Sequence, residues 1–597
     1  MKKLVLVFLI LLLGVSTAFT EGQGEAAEVE DRPIWIWGLR ADRIDPDYEE
    51  MGNEWAQEKF GASFYAEGYF PAAQYIQGFN TLLAEGKMPD VLAGVPYNVQ
   101  GLKLLTDLAR FEKIMPLDKY FEDPENYAVF AEADQDYLRA YKFGGKLYAV
   151  PGWNWRIRKD DPFVGKFPGW FMGLDINQKY GNPSSYAELY TMLKKVKSDG
   201  MTGPYGEPRV PFGLMVSTDM RWVKLVLNQG GGAGWEVDPQ KRLMPVWASE
   251  EIYAQIKYFN MLWREGLMSP GAYLSGPGQF EADIAKGLYA VGVGHGGYTT
   301  ASRETITRLV DELGPDHKDV KAYQAKQMIM MLPPIADNPG RYTVTNTRFI
   351  VISATNPNPD ATMGLLNWMV SDEGVISVMN HVGLKGVDWE EAPAPRYWQV
   401  KGGFHGEENA GTQTKKVGGL WEMGYTDPDT GEKTARFPWV WPMIRPPYSY
   451  WVVRFDYEGM KRYREHYGIP IAEKPGEPDG AEWGVYWNLA LNEFASSIPS
   501  YAQVIQDVPP LEAAALATAE QKYNNGLVRC LTAKTEAEFQ AEYEKMISSL
   551  IGSANWKPIY EAKNKRWVDW LELNKFDDRP ELSAVTPIAS WKDVMEW

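Results

Sequence analysis

The chain has 597 residues, with 61 Lys and Arg against 79 Asp and Glu and a formal charge of −18. That length exceeds one ordinary domain, and 45% hydrophobic with 23% charged residues excludes general disorder and coiled coil. No sustained Lys/Arg run offsets the acidic balance, which excludes a nucleic-acid partner. Lys2 and Lys3 precede an apolar run from Leu4 to Leu13, then Gly14 and the small residues Ser16-Thr17-Ala18. This is the pattern of a secretory signal peptide, and the run is too short to span a bilayer. Cleavage is expected near Ala18, giving a signal at 1–18 and a small, acidic, flexible leader at 19–30.

Pro33 to Trp37 reads as a buried strand ending at Gly38, and Met51, Trp55 and Phe60 follow at helical spacing. Ser63 to Phe70 reads as a second strand. Pro71 then opens a helix whose Tyr75, Ile76, Phe79, Leu82 and Leu83 share one face and which stops at Gly86. Pro89 to Val95 is a third strand, so the pattern is βαβ with a parallel sheet. Downstream, strands are expected at 146–150, 210–216, 288–293 and 348–352, with helices at 186–197, 250–263 and 360–370. Residues 396–480 are rich in Gly, Pro and Trp, and Asp427 to Gly431 reads as a hairpin turn. Helical patterning returns at 513–523 and 536–550.

The one cysteine, Cys530, permits no internal disulfide and is expected to be a small buried apolar residue. With no Cys after the apolar leader there is no lipidation site. A secreted chain of this kind suits a bacterial periplasm, in soluble form. No HExxH, GxSxG, P-loop or CxxC spacing occurs. Gly292 to Gly297 satisfies GxGxxG, but no strand-end acid follows about twenty residues on, so a tight backbone turn at a cleft edge is the better account. No metal and no cofactor are expected.

A set of short segments occurs in a fixed order. It runs through Leu83-Ala-Glu-Gly-Lys-Met-Pro-Asp-Val91, Met115-Pro-Leu-Asp118, Gly145-Lys-Leu-Tyr-Ala-Val-Pro151 and Pro183-Ser-Ser-Tyr-Ala-Glu188. Leu262-Trp-Arg-Glu-Gly-Leu267, Ala285-Lys-Gly-Leu-Tyr-Ala290, and Phe349 to Ser353 with Asn356-Pro-Asn-Pro and Ser371-Asp-Glu-Gly374 complete it. This order resembles the carbohydrate-type extracellular solute-binding proteins of ABC importers, the family of maltose-binding protein and especially its long oligosaccharide-binding members. The resemblance implies an α/β periplasmic binding protein fold with two discontinuous lobes and an interlobe cleft. One lobe is expected from 31–151 plus 288–370 and the other from 152–287 plus 371–597. Many long relatives carry a calcium loop after the helix that here ends at Lys197, and Asp199 to Glu207 departs from that pattern.

A sugar ring presents apolar faces and a rim of hydroxyls, so its site needs aromatic platforms with planar polar partners. The chain places such residues after its expected strands, where open α/β sheets bind ligands. Candidates are Trp37 and Arg40 after the first strand, Tyr97 and Asn98 after the third, and Trp153-Asn154-Trp155-Arg156 after Pro151. Asp219, Arg221 and Trp222 follow the strand near Val216, His295 and Tyr298 the Gly-rich turn, and Trp439 and Trp441 could cap the cleft. Trp35 and Trp37 alternate along one strand, so at least one belongs to the core.

The expectation is a monomeric, non-enzymatic binding component that captures an oligosaccharide and delivers it to ABC transporter permease subunits. Two alternatives remain at this point. A secreted glycoside hydrolase or lyase would need two carboxylates across a cleft, and a peptide or siderophore binder on the same fold would differ only in its pocket.

Overall fold

The computed structural model describes residues 32–38, 46–67, 72–96, 99–133, 138–151, 168–215, 235–237, 242–269, 277–295, 299–331, 341–343, 348–374, 464–472, 510–552 and 556–575. Shorter described stretches are 377, 384–386, 389–391, 398–400, 425–426, 433–434, 474, 477–480, 496–498 and 591. The expected signal peptide and leader lie outside them.

In chain order the molecule begins with β1 (Ile34–Trp37), α1 (Pro46–Phe60), β2 (Phe64–Glu67), α2 (Ala72–Ala84), β3 (Val91–Pro96) and α3 (Val99–Arg110). A short hairpin, β4 (Lys142–Phe143) and β5 (Lys146–Leu147), leads into β6 (Val150–Pro151). Next come β7 (Pro168–Gly173), α4 (Tyr186–Ser198), β8 (Val210–Leu214), β9 (Trp235–Val237), β10 (Leu243–Pro245) and α5 (Glu250–Arg264). They are followed by α6 (Pro277–Ala285), β11 (Tyr289–His295), α7 (Thr299–Leu313), α8 (Lys318–Lys326) and β12 (Met328–Met330). The chain continues with β13 (Arg341–Thr343), β14 (Arg348–Ile352) and α9 (Pro359–Met369). Towards the end stand β15 (Ser496–Ile498) and the helices α10 (Pro510–Leu531), α11 (Glu536–Ile551) and α12 (Trp556–Leu573).

Two sheets organise these elements. The first has the order β2-β1-β3-β14-β6 and the second β12-β7-β11-β8. In the first, β1 is parallel to β2 and β3, while β14 runs antiparallel to both β3 and β6. In the second, β11 is parallel to β8, and β7 runs antiparallel to both β11 and β12. The chain crosses from the first sheet to the second between β6 and β7 and returns between β12 and β14. Central strands are mostly apolar, with Arg348 at the head of β14, and every residue of β3 and of β14 is buried.

The return crossing differs from expectation. Residues 289–330 were expected with the first lobe, yet β11 pairs with β7 and β8, so the chain stays in the second lobe until β12. The Gly-rich run, expected as a tight turn, differs as well. Gly292 and Gly294 lie within the extended strand rather than in a turn at its end. A Cβ on Gly292 would sit 2.3 Å from the Phe171 ring, and one on Gly294 2.9 Å from Phe280. Their missing side chains admit two aromatic rings against the sheet, a use of glycine in strands that mimics a loop signal. Elsewhere the expected hairpin around 427–431 has matching flanks, since Tyr425–Thr426 pairs antiparallel with Lys433–Thr434; the turn itself lies outside the described residues.

Helix contacts are dominated by aromatic rings. On the first lobe Trp55 of α1 packs on Trp368 of α9 at 4.4 Å, and Lys59 lies over both rings while pairing with Glu373 at 2.9 Å. On the second lobe Tyr186 of α4 meets Tyr258 and Phe259 of α5, and Phe259 reaches Phe212 of β8. The helices α10 and α11 cross closely at Gly526, where a Cβ would sit 2.2 Å from Met546. Asn260 of α5 donates to the carbonyls of Leu531 and Ala533, tying α5 to this layer. Two buried arginines are paired, Arg209 with Asp175 at 2.8 Å and Arg464 with Asp479 at 2.7 Å.

The loop between α4 and β8 is organised by a lysine from another element. Lys326, the last residue of α8, points its ammonium at the Thr202 carbonyl and hydroxyl, both at 3.0 Å, and at the Gly203 carbonyl at 3.1 Å. Three donors thus meet three oxygens. Replacing Lys326 by Met removes this cation, although the Thr202 carbonyl keeps Arg209 Nε at 3.3 Å and the Gly203 carbonyl keeps the Gly206 N–H at 3.1 Å, and should lower the unfolding free energy by about 1–3 kcal/mol. Chemical denaturation checks the loss, and limited proteolysis should then cut within 199–209.

Candidate functional site

Strand direction fixes where a ligand site can form. In the first sheet β1, β2, β3 and β6 all end at one edge, where β14 begins. In the second β8, β11 and β12 end at one edge, where β7 begins. Both crossings therefore run from the carboxyl edge of one sheet to the carboxyl edge of the other. The crossings leave and enter through neighbouring strands, β6 and β14 in the first sheet and β7 and β12 in the second. Carboxyl edges of open α/β sheets, whose loops are free of sheet pairing, are where such folds bind ligands. The second crossing carries its own pairing, because β13 lies parallel to β15 and brings residues 496–498 beside it.

The first-lobe edge is built around backbone that bends where side chains would collide. Gly38, directly after β1, adopts φ 107°, and a Cβ there would lie 2.2 Å from the Ala93 carbonyl oxygen. Gly94 within β3 has φ 79°, leaving room for Arg348, whose Nη1 donates to the Gly94 carbonyl at 3.4 Å. Arg348 is 8% exposed and opens β14 opposite Pro96, the last residue of β3. Behind it Tyr75 of α2 is fully buried. Burial pushes the Tyr75 hydroxyl well above the usual phenol range, and the nearby Arg348 charge opposes that in part.

Trp37 ends β1 at this edge and is only 3% exposed, its ring 4.6 Å from Tyr75 and 6.1 Å from Phe79. A Cβ on Gly78 would stand 3.2 Å from that ring, so α2 seals it. Trp37 is thus packed as core, while its neighbour Trp35 is half-buried and donates from Nε1 to Glu67 at 2.9 Å. His295 is the last residue of β11 and faces Pro168 across the pair; its side chain lies outside the described residues. So do Arg40, Tyr97, Asn98, Trp153, Asn154, Trp155, Arg156, Asp219, Arg221, Trp222, Tyr298, Trp439 and Trp441. Their places in the chain are nonetheless informative. Tyr97 directly follows β3, Trp153 comes two residues after β6, and Tyr298 three residues after β11. Arg348 and Tyr75 were missed as edge residues because one reads as the start of an apolar strand and the other as a helix-face aromatic.

Among the described residues no group of three His, Cys, Asp or Glu is placed to hold a metal ion, and no helix is long and apolar enough to cross a membrane. Cys530 is buried and its thiol is pushed up to about 12, mainly by burial, which makes it unreactive.

The model for bacterial extracellular solute-binding proteins matches residues 67–376, just over half of the chain. The chain belongs to that family. Two solved relatives share the fold of this solute-binding protein, both from Bifidobacterium longum infantis. One is described as an HMO-binding, ABC-transporter-associated solute-binding protein, 14% identical, with a TM-score of 0.53 over 92% of this chain and 100% of its own. The other is an extracellular solute-binding protein, 15% identical, with a TM-score of 0.51 over 91% and 98%. No curated protein matches the chain. The two-lobed architecture of these structures agrees with the two sheets and two crossings described above.

The left-handed glycine beside Arg348 gives a direct test of this edge. In Gly94→Ala a Cβ would meet Arg348 Nη1 at 3.2 Å in a backbone region that side chains rarely adopt. The solute-binding protein should lose about 1–3 kcal/mol of stability, measured as a lowered denaturation midpoint. Gly86→Ala, at a left-handed turn with nothing within 4 Å, carries the strain without the contact and should lose less.

Proposed function

We propose that this solute-binding protein is the capture component of an ABC importer and that its cargo is an oligosaccharide. The observation that carries the reading is the joining of two carboxyl edges by both crossings; in sequence, Trp- and Tyr-bearing segments follow the strands that end there. Aromatic platforms beside Asn, Asp and Arg suit pyranose faces and hydroxyl rims. The HMO-binding description of one structural relative supports the same class of cargo. Lobes that pivot about two crossings can close over a ligand, and a closed population that grows with occupancy is what a permease can read. Trp153, Asn154, Trp155 and Arg156 are proposed as the platform next to the first crossing. Arg40, Tyr97 and Asn98 would complete the first lobe's face. Asp219, Arg221, Trp222, His295 and Tyr298, with Trp439 and Trp441, are proposed for the second. Trp37 is better assigned to the core beneath this surface.

The protein is further proposed to act as a periplasmic monomer, released by cleavage near Ala18 without a lipid anchor, and to bind without turnover or cofactor. The lobes are proposed as 31–151 with 348–374 for the first and 168–331 with the C-terminal helices for the second, following strand membership.

Stacking of a base on an aromatic contributes about 1–3 kcal/mol, and the same range for a sugar corresponds to roughly five- to 150-fold in affinity. Trp153→Ala or Trp155→Ala should therefore weaken oligosaccharide binding by that factor while the unfolding midpoint changes little. Calorimetric titration with the ligand that co-purifies, and thermal melts of both variants, check this; normal binding in both would remove the segment from the site. Prolonged incubation with oligosaccharides should leave them intact by mass spectrometry, whereas steady release of shorter sugars would establish a glycosidase instead.

A further inference from the structure

The lobes touch at a place that neither crossing explains. The helix α12 starts on the second lobe, where Trp556 packs edge-on against Trp247 at 5.2 Å. Further along, Asn564 grips β10 with both ends of its amide. Its Oδ1 accepts from the Leu243 N–H at 2.9 Å and its Nδ2 donates to the Leu243 carbonyl at 3.0 Å. Asn564 is 2% exposed, so this anchor is fully formed.

Ten residues later, about 15 Å along a helix at 1.5 Å per residue, the chain reaches the first lobe. Asn574 is buried. Its Nδ2 donates to the Trp570 carbonyl at 2.9 Å, and its Oδ1 accepts a 3.4 Å hydrogen bond from the Gly145 N–H. Lys575 turns left-handed at φ 60°, bringing its stem over the same glycine, 3.5 Å from where a Cβ would lie. Gly145 is the tip of the β4–β5 hairpin, itself fixed to the first lobe. The Leu147 N–H donates to the Asp118 carboxylate at 3.1 Å, the Leu117 N–H donates to the Leu147 carbonyl at 2.7 Å, and Tyr141 packs on Phe349 of β14. A stiff helix is thus clamped on one lobe by a buried amide and meets the hairpin of the other through a 3.4 Å hydrogen bond and a lysine stem.

We propose that α12 is a non-covalent brace between the lobes, and that parting of Asn574 and Lys575 from the Gly145 hairpin is a step of the lobe motion. The asymmetry of the two ends decides which one yields. The Asn564 end is a double, fully buried hydrogen bond, whereas the Gly145 end is single, long and next to exposed backbone. Its rupture should change the ratio of lobe arrangements by a factor on the order of five, enough to tune ligand affinity and small enough for a ligand to overcome. This inference rests on lobe closure as the mode of action, and not on the class of ligand.

The test needs no ligand, so it stands or falls apart from the oligosaccharide reading. Phe111 on the first lobe and Tyr205 on the second are 67% and 57% exposed. Both are replaced by Cys and spin-labelled, while the buried Cys530 stays unmodified. Pulsed EPR then measures the interlobe distance distribution in the background protein, in Asn574→Ala, and in Gly145→Asn. The last is chosen because Asn tolerates the left-handed backbone of Gly145 at φ 81° and wedges against Lys575. Expected is a broader distribution, shifted by several ångströms, in both variants, with unfolding midpoints close to the background. Distributions that superimpose on the background in both variants overturn the brace. So does a lowered unfolding midpoint with no change in distance, which would make the contact merely structural.

Discussion

Most of this structure depends on a constraint of chain direction. Because the chain leaves β6 at a carboxyl edge and enters β7 at the amino end of an antiparallel strand, the two sheets are linked through matching edges. The same holds in reverse from β12 to β14. A single antiparallel strand in each sheet, β14 in the first and β7 in the second, makes this matching work. Had those strands been parallel to their neighbours, each crossing would have had to travel the length of a sheet. The matching of carboxyl edge to carboxyl edge would then be lost.

That arrangement puts unusual demands on the backbone at the edges, and glycine meets them where side chains cannot. Gly38 and Gly94 take left-handed conformations so that β1, β3 and the Arg348 side chain can pack at the first edge. Gly101 lets α3 begin against the end of β3, where a Cβ would lie 1.8 Å from the Pro96 carbonyl oxygen. The aromatic rings then fill what glycine leaves, as Phe171 and Phe280 do over β11. Trp37 is a product of the same economy of space: sealed beneath α2, it stiffens the floor of the edge rather than standing on it.

Much of the fold was legible in the sequence. Alternating strand and helix patterns over 33–95 placed β1 to β3 with their helices, and the ordered segments from Leu83 to Gly374 pointed to the family before any geometry was known. The return crossing was not legible. Nothing in the apolar run of β11 distinguishes a strand of one lobe from a strand of the other, because both are buried on two faces, and its glycines imitate a loop. For the site, residue types that suit a sugar follow in sequence the strands that end at the carboxyl edges, but their side chains lie outside the described residues. Local sequence could not separate Trp37 from such residues, since a platform and a core ring are the same side chain. Only the packing of Tyr75, Gly78 and Phe79 decides it. Arg348 was overlooked for the opposite reason, a charge hidden at the head of an apolar strand.

The loop gathered by Lys326 has a consequence for where such a protein can operate. A bound mineral ion is shared with the surroundings: it is diluted by rain, stripped by chelating molecules and exchanged for competitors. The ammonium on Thr202 and Gly203 is covalently part of the chain and is present at the same stoichiometry in every medium. Outside the cell membrane, where the ionic composition is set by the habitat rather than the organism, the cation on these three oxygens is supplied by the chain itself.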